Sequence, residues 1–199
     1  MKDILVILPS LNRPTALVAA LDSLIRCGTG LADILILGGN TGGGIATMNG
    51  VPKELIGQYK VIGLFGDDGR MRTPKWDELV MAKLNGKVGL IYGRDGIQDR
   101  NLCTHPFFSS EIPLRLGFLQ PPCCHHYYGD NFFMDLLRPL GKVQYVPELF
   151  TEHLHPSQGK GPDDATYSNA AQWNQHDSIA YPKYRDGEMN EDRKKLIGL

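Results

Sequence analysis

The chain has 199 residues, of which 42% are hydrophobic and 22% charged, and its formal net charge is −1. This is an ordinary soluble composition with enough chain for one domain and a sizeable core. The charge balance gives no overall pull toward nucleic acid or an anionic membrane, and no apolar run approaches the ~20 residues that span a bilayer.

The first element is the continuous apolar run Ile4–Leu8, stopped by Pro9-Ser10, as expected of a strand buried on both faces. It is too short for the apolar region of a signal peptide, so the expectation is a cytosolic protein. Pro14 opens a helix in which Ala16, Leu17, Ala20, Leu21, Leu24 and Ile25 recur at helical spacing up to Gly28. Ile34–Leu37 reads as a second strand, followed by a glycine-rich loop from Gly38 to Gly44 and a short helix from Ile45 to Leu55 broken by Gly50 and Pro52. Val61–Phe65 is the next strand, Trp76–Leu84 a helix and Val88–Tyr92 a further strand. Strands alternating with helices at this pitch predict a mostly parallel sheet covered by helices.

From about Asp95 the alternation weakens under Pro113, Pro121, Pro122, Pro139 and Pro147. Beyond Pro156 the chain is polar and shows no apolar period, so residues 163–199 are expected to wrap the surface or stay partly mobile, with Arg193-Lys194-Lys195 a solvated end. Cys27, Cys103, Cys123 and Cys124 show neither Cys-x-x-Cys spacing nor the density of a disulfide framework. The adjacent groups of Cys123-Cys124-His125-His126 are poorly placed to converge on one tetrahedral ion, and are expected to form a packed loop lining a site.

Chemistry concentrates at the strand ends, where ligands sit in open α/β sheets. Gly66-Asp67-Asp68-Gly69 places two like charges side by side, either as a solvated turn or as hard oxygen ligands for Mg²⁺ or Mn²⁺. The glycine loop lacks both the P-loop lysine and the dinucleotide fingerprint, leaving a flexible connection or a loop beside a nucleotide. Arg70, Arg72 and Lys75 follow the acidic pair and suit phosphate, while Thr73-Pro74 has the form of a helix start. If Glu148–Pro156 is extended, His153 and His155 share one face and become metal candidates. Asp130, set among Tyr127, Tyr128, Phe132 and Phe133, is either a helix cap or a general base whose pKa an apolar setting raises.

Taken together, Pro9-Ser10-Leu11-Asn12-Arg13-Pro14, Met48-Asn49-Gly50, Gly66-Asp67-Asp68 with Arg72–Asp77, Thr104–Phe107, Tyr128–Asn131 and Glu152–Pro156 resemble the GT-A glycosyltransferases. The likeness is to the small family-2-like enzymes of bacteriophages and bacteria, over roughly Ile4 to Pro162. It implies a single GT-A domain, with a nucleotide-sugar-binding half (1–95), an acceptor and catalytic half (96–162) and an irregular tail (163–199). It further implies a nucleotide-sugar donor such as a UDP-sugar, bound by Pro9, Ser10, Asn12, Arg13, Asn40, Asn49, Asp67, Arg72 and Trp76. Mn²⁺ or Mg²⁺ is expected on Asp68 and Asp67, completed by His153 or His155, and Asp130 matches the acid that serves as base in inverting members.

Two departures stand out: the acidic pair lacks the third acid of the fuller Asp-x-Asp form, and Gly39-Asn40 stands where many relatives carry an acid. The resemblance suggests a hydroxymethylated pyrimidine in phage DNA as acceptor, modified in the host cytoplasm, with Arg70, Arg72, Lys75, Arg94 and Arg100 as local cations and Tyr127 and Tyr128 able to stack on a base. A saccharide, lipid or protein acceptor is the alternative. A nucleotidyltransferase and a non-catalytic nucleotide- or sugar-binding domain are the rival readings.

Overall fold

The computed structural model describes residues 1–38, 43–161 and 164–198. The first half contains β1 (Lys2–Ser10), α1 (Pro14–Cys27), β2 (Ala32–Gly38), α2 (Gly44–Asn49), α3 (Lys53–Ile56), β3 (Tyr59–Leu64), β4 (Gly69–Met71), α4 (Trp76–Leu84) and β5 (Leu90–Arg94). The second contains β6 (Phe107–Ser109), α5 (Glu111–Leu116), α6 (Gly129–Leu137), β7 (Val143–His153), α7 (Ala165–Ala171), α8 (Asn174–Asp186) and α9 (Met189–Lys195).

The strands form a seven-stranded sheet in the order β2-β1-β3-β6-β5-β7-β4. The long ladders β1–β2, β1–β3 and β5–β7 are parallel, as the alternation predicts. The short strands β6 and β4 run antiparallel to their neighbours, so the sheet is mixed. Alternation along β1 divides the core: Leu5 and Ile7 pack on one face with α5, α6, α8 and α9, while Ile4, Val6 and Leu8 pack on the other with α1 and α4.

The tail departs from expectation. It folds into α7, α8 and α9, and Tyr181, Tyr184, Met189 and Leu196 are buried in the core. Its anchors are too few and too widely spaced to give a periodic signal, and Pro182 lies inside α8. Arg193 is not a solvated end either, since its Nη2 donates to the Asp135 carbonyl at 2.8 Å.

Two features of this topology build the site. Parallel pairing of β1 and β3 sets Ser10 beside the turn that carries Asp67 and Asp68, with the Phe65 amide bonded to the Ile7 carbonyl. Pairing of β4 with β7 puts His153 opposite Gly69, and the Leu154 amide bonds the Asp68 carbonyl at 2.9 Å.

Candidate active site

Asp67 and Asp68 are neighbours with different surroundings. The Asp67 carboxylate turns inward and accepts from Ser10 Oγ at 2.7 Å and Arg13 Nη1 at 2.7 Å. Burial holds its pKa above the ordinary range, against the pull of Ser10 and Arg13. Asp68 Oδ2 faces His153 Nε2 at 3.3 Å and accepts from the Tyr167 hydroxyl at 2.8 Å. Burial alone would raise this carboxyl, but the His153 contact and charge and the Tyr167 hydroxyl hold it well below the ordinary carboxylate range. Gly66 makes the arrangement possible, because a Cβ there would collide with Asp68 Oδ1.

His153 stands between two carboxylates. Its Nδ1 lies 3.5 Å from Asp95 Oδ2, an ion-pair distance. Burial disfavours its charge, yet Asp68 and Asp95 raise its pKa to about 9. Asp95 is fixed in turn, since its Oδ1 accepts from the Ile97, Gln98 and Asp99 amides and its Oδ2 from Thr104 Oγ1. His105 packs against Phe65 and edge-on to His153, and neither of its buried ring nitrogens has a hydrogen-bond partner among the described residues. Burial lowers its pKa to about 4, so it is neutral.

Asp67 and Asp68 border a cavity of about 440 Å³ whose floor also includes Pro9, Ser10 and Arg13, while His153, Asp95 and His105 are not part of its lining. Its roof is α7, held down by three contacts: Arg13 Nε to Asp164 Oδ2 at 2.9 Å, Thr166 Oγ1 to the Leu11 carbonyl at 3.2 Å, and Tyr167 to Asp68. His126 and Trp173 close the far wall. The loop carrying His126 is organised by buried Asp177, which accepts from the His125, His126 and Tyr127 amides. Asp95, Tyr167, Asp164 and Trp173 were missed in the sequence. Only Asp95 had a signal, as an acid at a strand end.

Several expected residues lie elsewhere. Asn40 falls outside the described residues. Asn12 is exposed in a left-handed conformation at φ 56° and does not line the cavity. Asn49 brackets the Leu119–Gln120 backbone, accepting from both amides and donating to the Gln120 carbonyl. Trp76 is fully buried against Phe107 with its Nε1 bonded to the Leu24 carbonyl, a core role. Arg72 is exposed and paired with Glu152. His155 bonds Ser157 at 2.8 Å and stacks edge-on to Tyr167, one step from Asp68. Thr73 ties β7 to the chain before α4 by bonding Glu148 and Phe150, while Lys75 occupies the cap position.

Asp130 lies in the first turn of α6 but makes no capping bond, the cap position being Tyr128. Burial raises its carboxyl to about 7, with the charges of Asp95 and Asp68 adding to the rise and His153 opposing it. The cations proposed to track nucleic acid are engaged locally. Arg70 bonds the Asp67 and Gly69 carbonyls, Arg94 and Arg100 cover Phe150 and Tyr145, and Lys75 approaches Glu78. Tyr128 is already stacked, on Tyr181.

No family model and no curated protein sequence matches this chain. Solved structures do. The mannosyltransferase PcManGT from Pyrobaculum calidifontis, in complex with GDP-Man and Mn²⁺, superposes with a TM-score of 0.60 at 11% identity, covering 98% of this chain and 70% of that one. The catalytic domain of Drosophila β1,4-galactosyltransferase 7 gives 0.58 at 10% identity, covering 87% and 81%. Glucosyl-3-phosphoglycerate synthase from Mycobacterium tuberculosis, in complex with Mn²⁺, UDP and glucosyl-3-phosphoglycerate, gives 0.57 at 16% identity, covering 92% and 80%. The fold is that of the GT-A glycosyltransferases. Within this fold the cavity occupies the carboxyl ends of β1 and β3, and no described helix is long and apolar enough to cross a membrane.

Proposed function

We propose that the chain is a metal-dependent glycosyltransferase that moves a hexosyl or pentosyl group from a nucleotide sugar to an acceptor hydroxyl. The observation that carries this reading is the approach of His153 to Asp68, 85 positions apart in sequence, of which Asp68 lines the cavity. Among the described residues no three acid, imidazole or thiol groups are gathered into a ready metal site. A carboxylate oxygen with one imidazole nitrogen nevertheless fits Mn²⁺ or Mg²⁺, which take few protein ligands when diphosphate oxygens and water fill the rest. Structures of this fold bound to Mn²⁺ with UDP or GDP-Man support the same assignment. When bound, the ion supplies Lewis-acid neutralisation of the leaving diphosphate.

The chain's own residues divide the remaining work. Ser10, Arg13 and Asp67 form one hydrogen-bonded floor that positions the donor nucleotide, with Pro9 beside it. Asp130 takes the acceptor proton. A carboxyl near pH 7 is well matched to that task, because it is ionised at working pH yet still basic. Residues 1–95 and 96–162 supply the donor and acceptor halves, and α7 of the tail completes the donor side. The acceptor suggested by the resemblance is a hydroxymethylated pyrimidine in phage DNA, modified in the host cytoplasm. A saccharide acceptor is favoured by the local engagement of the five cations.

Incubation with UDP- and GDP-sugars and Mn²⁺ tests the reading through slow release of the nucleoside diphosphate, abolished by chelator. Absence of both binding and release across the panel refutes it. Binding without turnover points to a binding domain, and pyrophosphate release from a nucleoside triphosphate with a sugar phosphate points to a nucleotidyltransferase.

A further inference from the structure

Cys123 and Cys124 are consecutive in the chain, and their Sγ atoms lie 3.6 Å apart. Both are free thiols, neither lines the cavity, and the transfer chemistry uses neither. Cys123 is half-buried, whereas Cys124 is only 4% exposed. The accessible member is also the readier nucleophile. A hydrogen bond from the Cys124 thiol lowers the Cys123 pKa, while the same contact and burial raise that of Cys124.

The residues that follow the pair build a wall of the cavity. The Cys124 amide donates to the Pro121 carbonyl at 3.1 Å, and the amides of His125, His126 and Tyr127 all donate to Asp177. The His125 ring stacks on Trp173 with centroids 4.0 Å apart, and His126 and Trp173 both line the cavity. On the other side the His125 carbonyl accepts from the Ile45 amide at 3.0 Å and lies so close to Gly43 that a Cβ there would collide with it. Bonded on both sides, this wall has little room to absorb a change in the backbone beside it.

We propose that Cys123 and Cys124 form a vicinal dithiol site that a low-molecular-weight disulfide converts into an intrachain disulfide, displacing the His125–His126 wall of the cavity. The Cys123 thiolate attacks one sulfur of the small disulfide and expels a thiolate. Cys124 Sγ then attacks Cys123 Sγ in the mixed disulfide and expels the second. The two protein thiols lose two electrons to the small disulfide, and their two protons go to its two leaving thiolates. Bond formation brings the sulfurs from 3.6 Å to about 2.05 Å. Adjacent Cα atoms stand about 3.8 Å apart, closer than the roughly 4.4–6.8 Å that disulfides usually span, so the ring closes only by twisting the Cys123–Cys124 peptide. That twist is passed to the amides held by Asp177. It also makes the bridge easy to reduce, so the change is reversible.

The test is titration of the folded chain with oxidised glutathione, followed by dithiothreitol. Peptide mapping should show the segment 121–127 losing two hydrogens and retaining no glutathione. Emission from Trp173, stacked on His125, should shift, while Trp76 stays buried in the core. UDP or GDP affinity in Mn²⁺ should fall several-fold, and dithiothreitol should reverse all three effects. Cys123→Ser and Cys124→Ala should each abolish them. Persistence of both thiols, a mixed disulfide that stays on Cys123, or a bridge that leaves Trp173 emission unchanged would each overturn the proposal. The nucleotide effect rests on the glycosyltransferase reading. If the reduced chain binds no nucleoside diphosphate, that reading fails, whereas the mapped bridge and the Trp173 shift still decide this one.

Discussion

His153 offers the sharpest test of the electrostatics, because it sits between Asp68 and Asp95 with its side chain only 18% exposed. Its pKa rises from 6.5 to about 9 in the folded chain. At about 1.4 kcal/mol per pH unit, this corresponds to about 3 kcal/mol of folding stability carried by the imidazolium. A raised pKa contributes fully below the unfolded value of 6.5 and loses its contribution as pH climbs through 9. Asp68 and Asp95 act in the other direction: their depressed values contribute above 3.8 and fade as pH falls. The three-charge cluster is therefore strongest between about pH 4 and 6.5. The perturbation is His153→Gln, and the assay is urea unfolding in chelator at pH 6 and pH 9.5. The gap between wild type and variant should be larger at pH 6 by about 3 kcal/mol. A gap of equal size at both pH values would refute the imidazolium bridge.

Asp68→Ala should abolish Mn²⁺ binding and transfer together. In the wild type, Mn²⁺ binding near pH 7.5 should release a proton from His153, seen as buffer-dependent heat in calorimetry. Asp130→Asn should lose most transfer while remaining at least as stable as wild type at pH 8, because a carboxyl raised to about 7 destabilises the fold once ionised. The activity of the wild type should correspondingly rise as pH passes 7. Met189→Ala, which truncates a fully buried side chain of α9, should lower unfolding stability by about 2–5 kcal/mol in a denaturant titration.

The first half of the fold was legible because its elements carry their own periodicity. Ile4–Leu8 is apolar throughout and is covered on both faces, and Trp76–Leu84 has the predicted bounds. The acidic pair was legible for a related reason: charged residues on a glycine turn after a strand are visible in one short window. Trp76 and Asn49 show where such reading fails. Both fall in motifs that the resemblance marks for donor binding, yet Trp76 fills the core and Asn49 binds backbone. Residue type and spacing do not reveal which way a side chain points.

What the sequence determined by itself is therefore the alternation of strands and helices, and the placing of Ser10, Arg13, Asp67 and Asp68 at strand ends. Tertiary structure decided the rest. The pairing of β4 with β7 brings His153 to Asp68, and the docking of α7 brings Tyr167 to the same oxygen. Those partners are separated by 85 and 99 positions, and the tail helices are held by a few dispersed anchors rather than an apolar stripe. Contacts of that kind arise only when the chain closes its long loops, so no local pattern of residues can encode them.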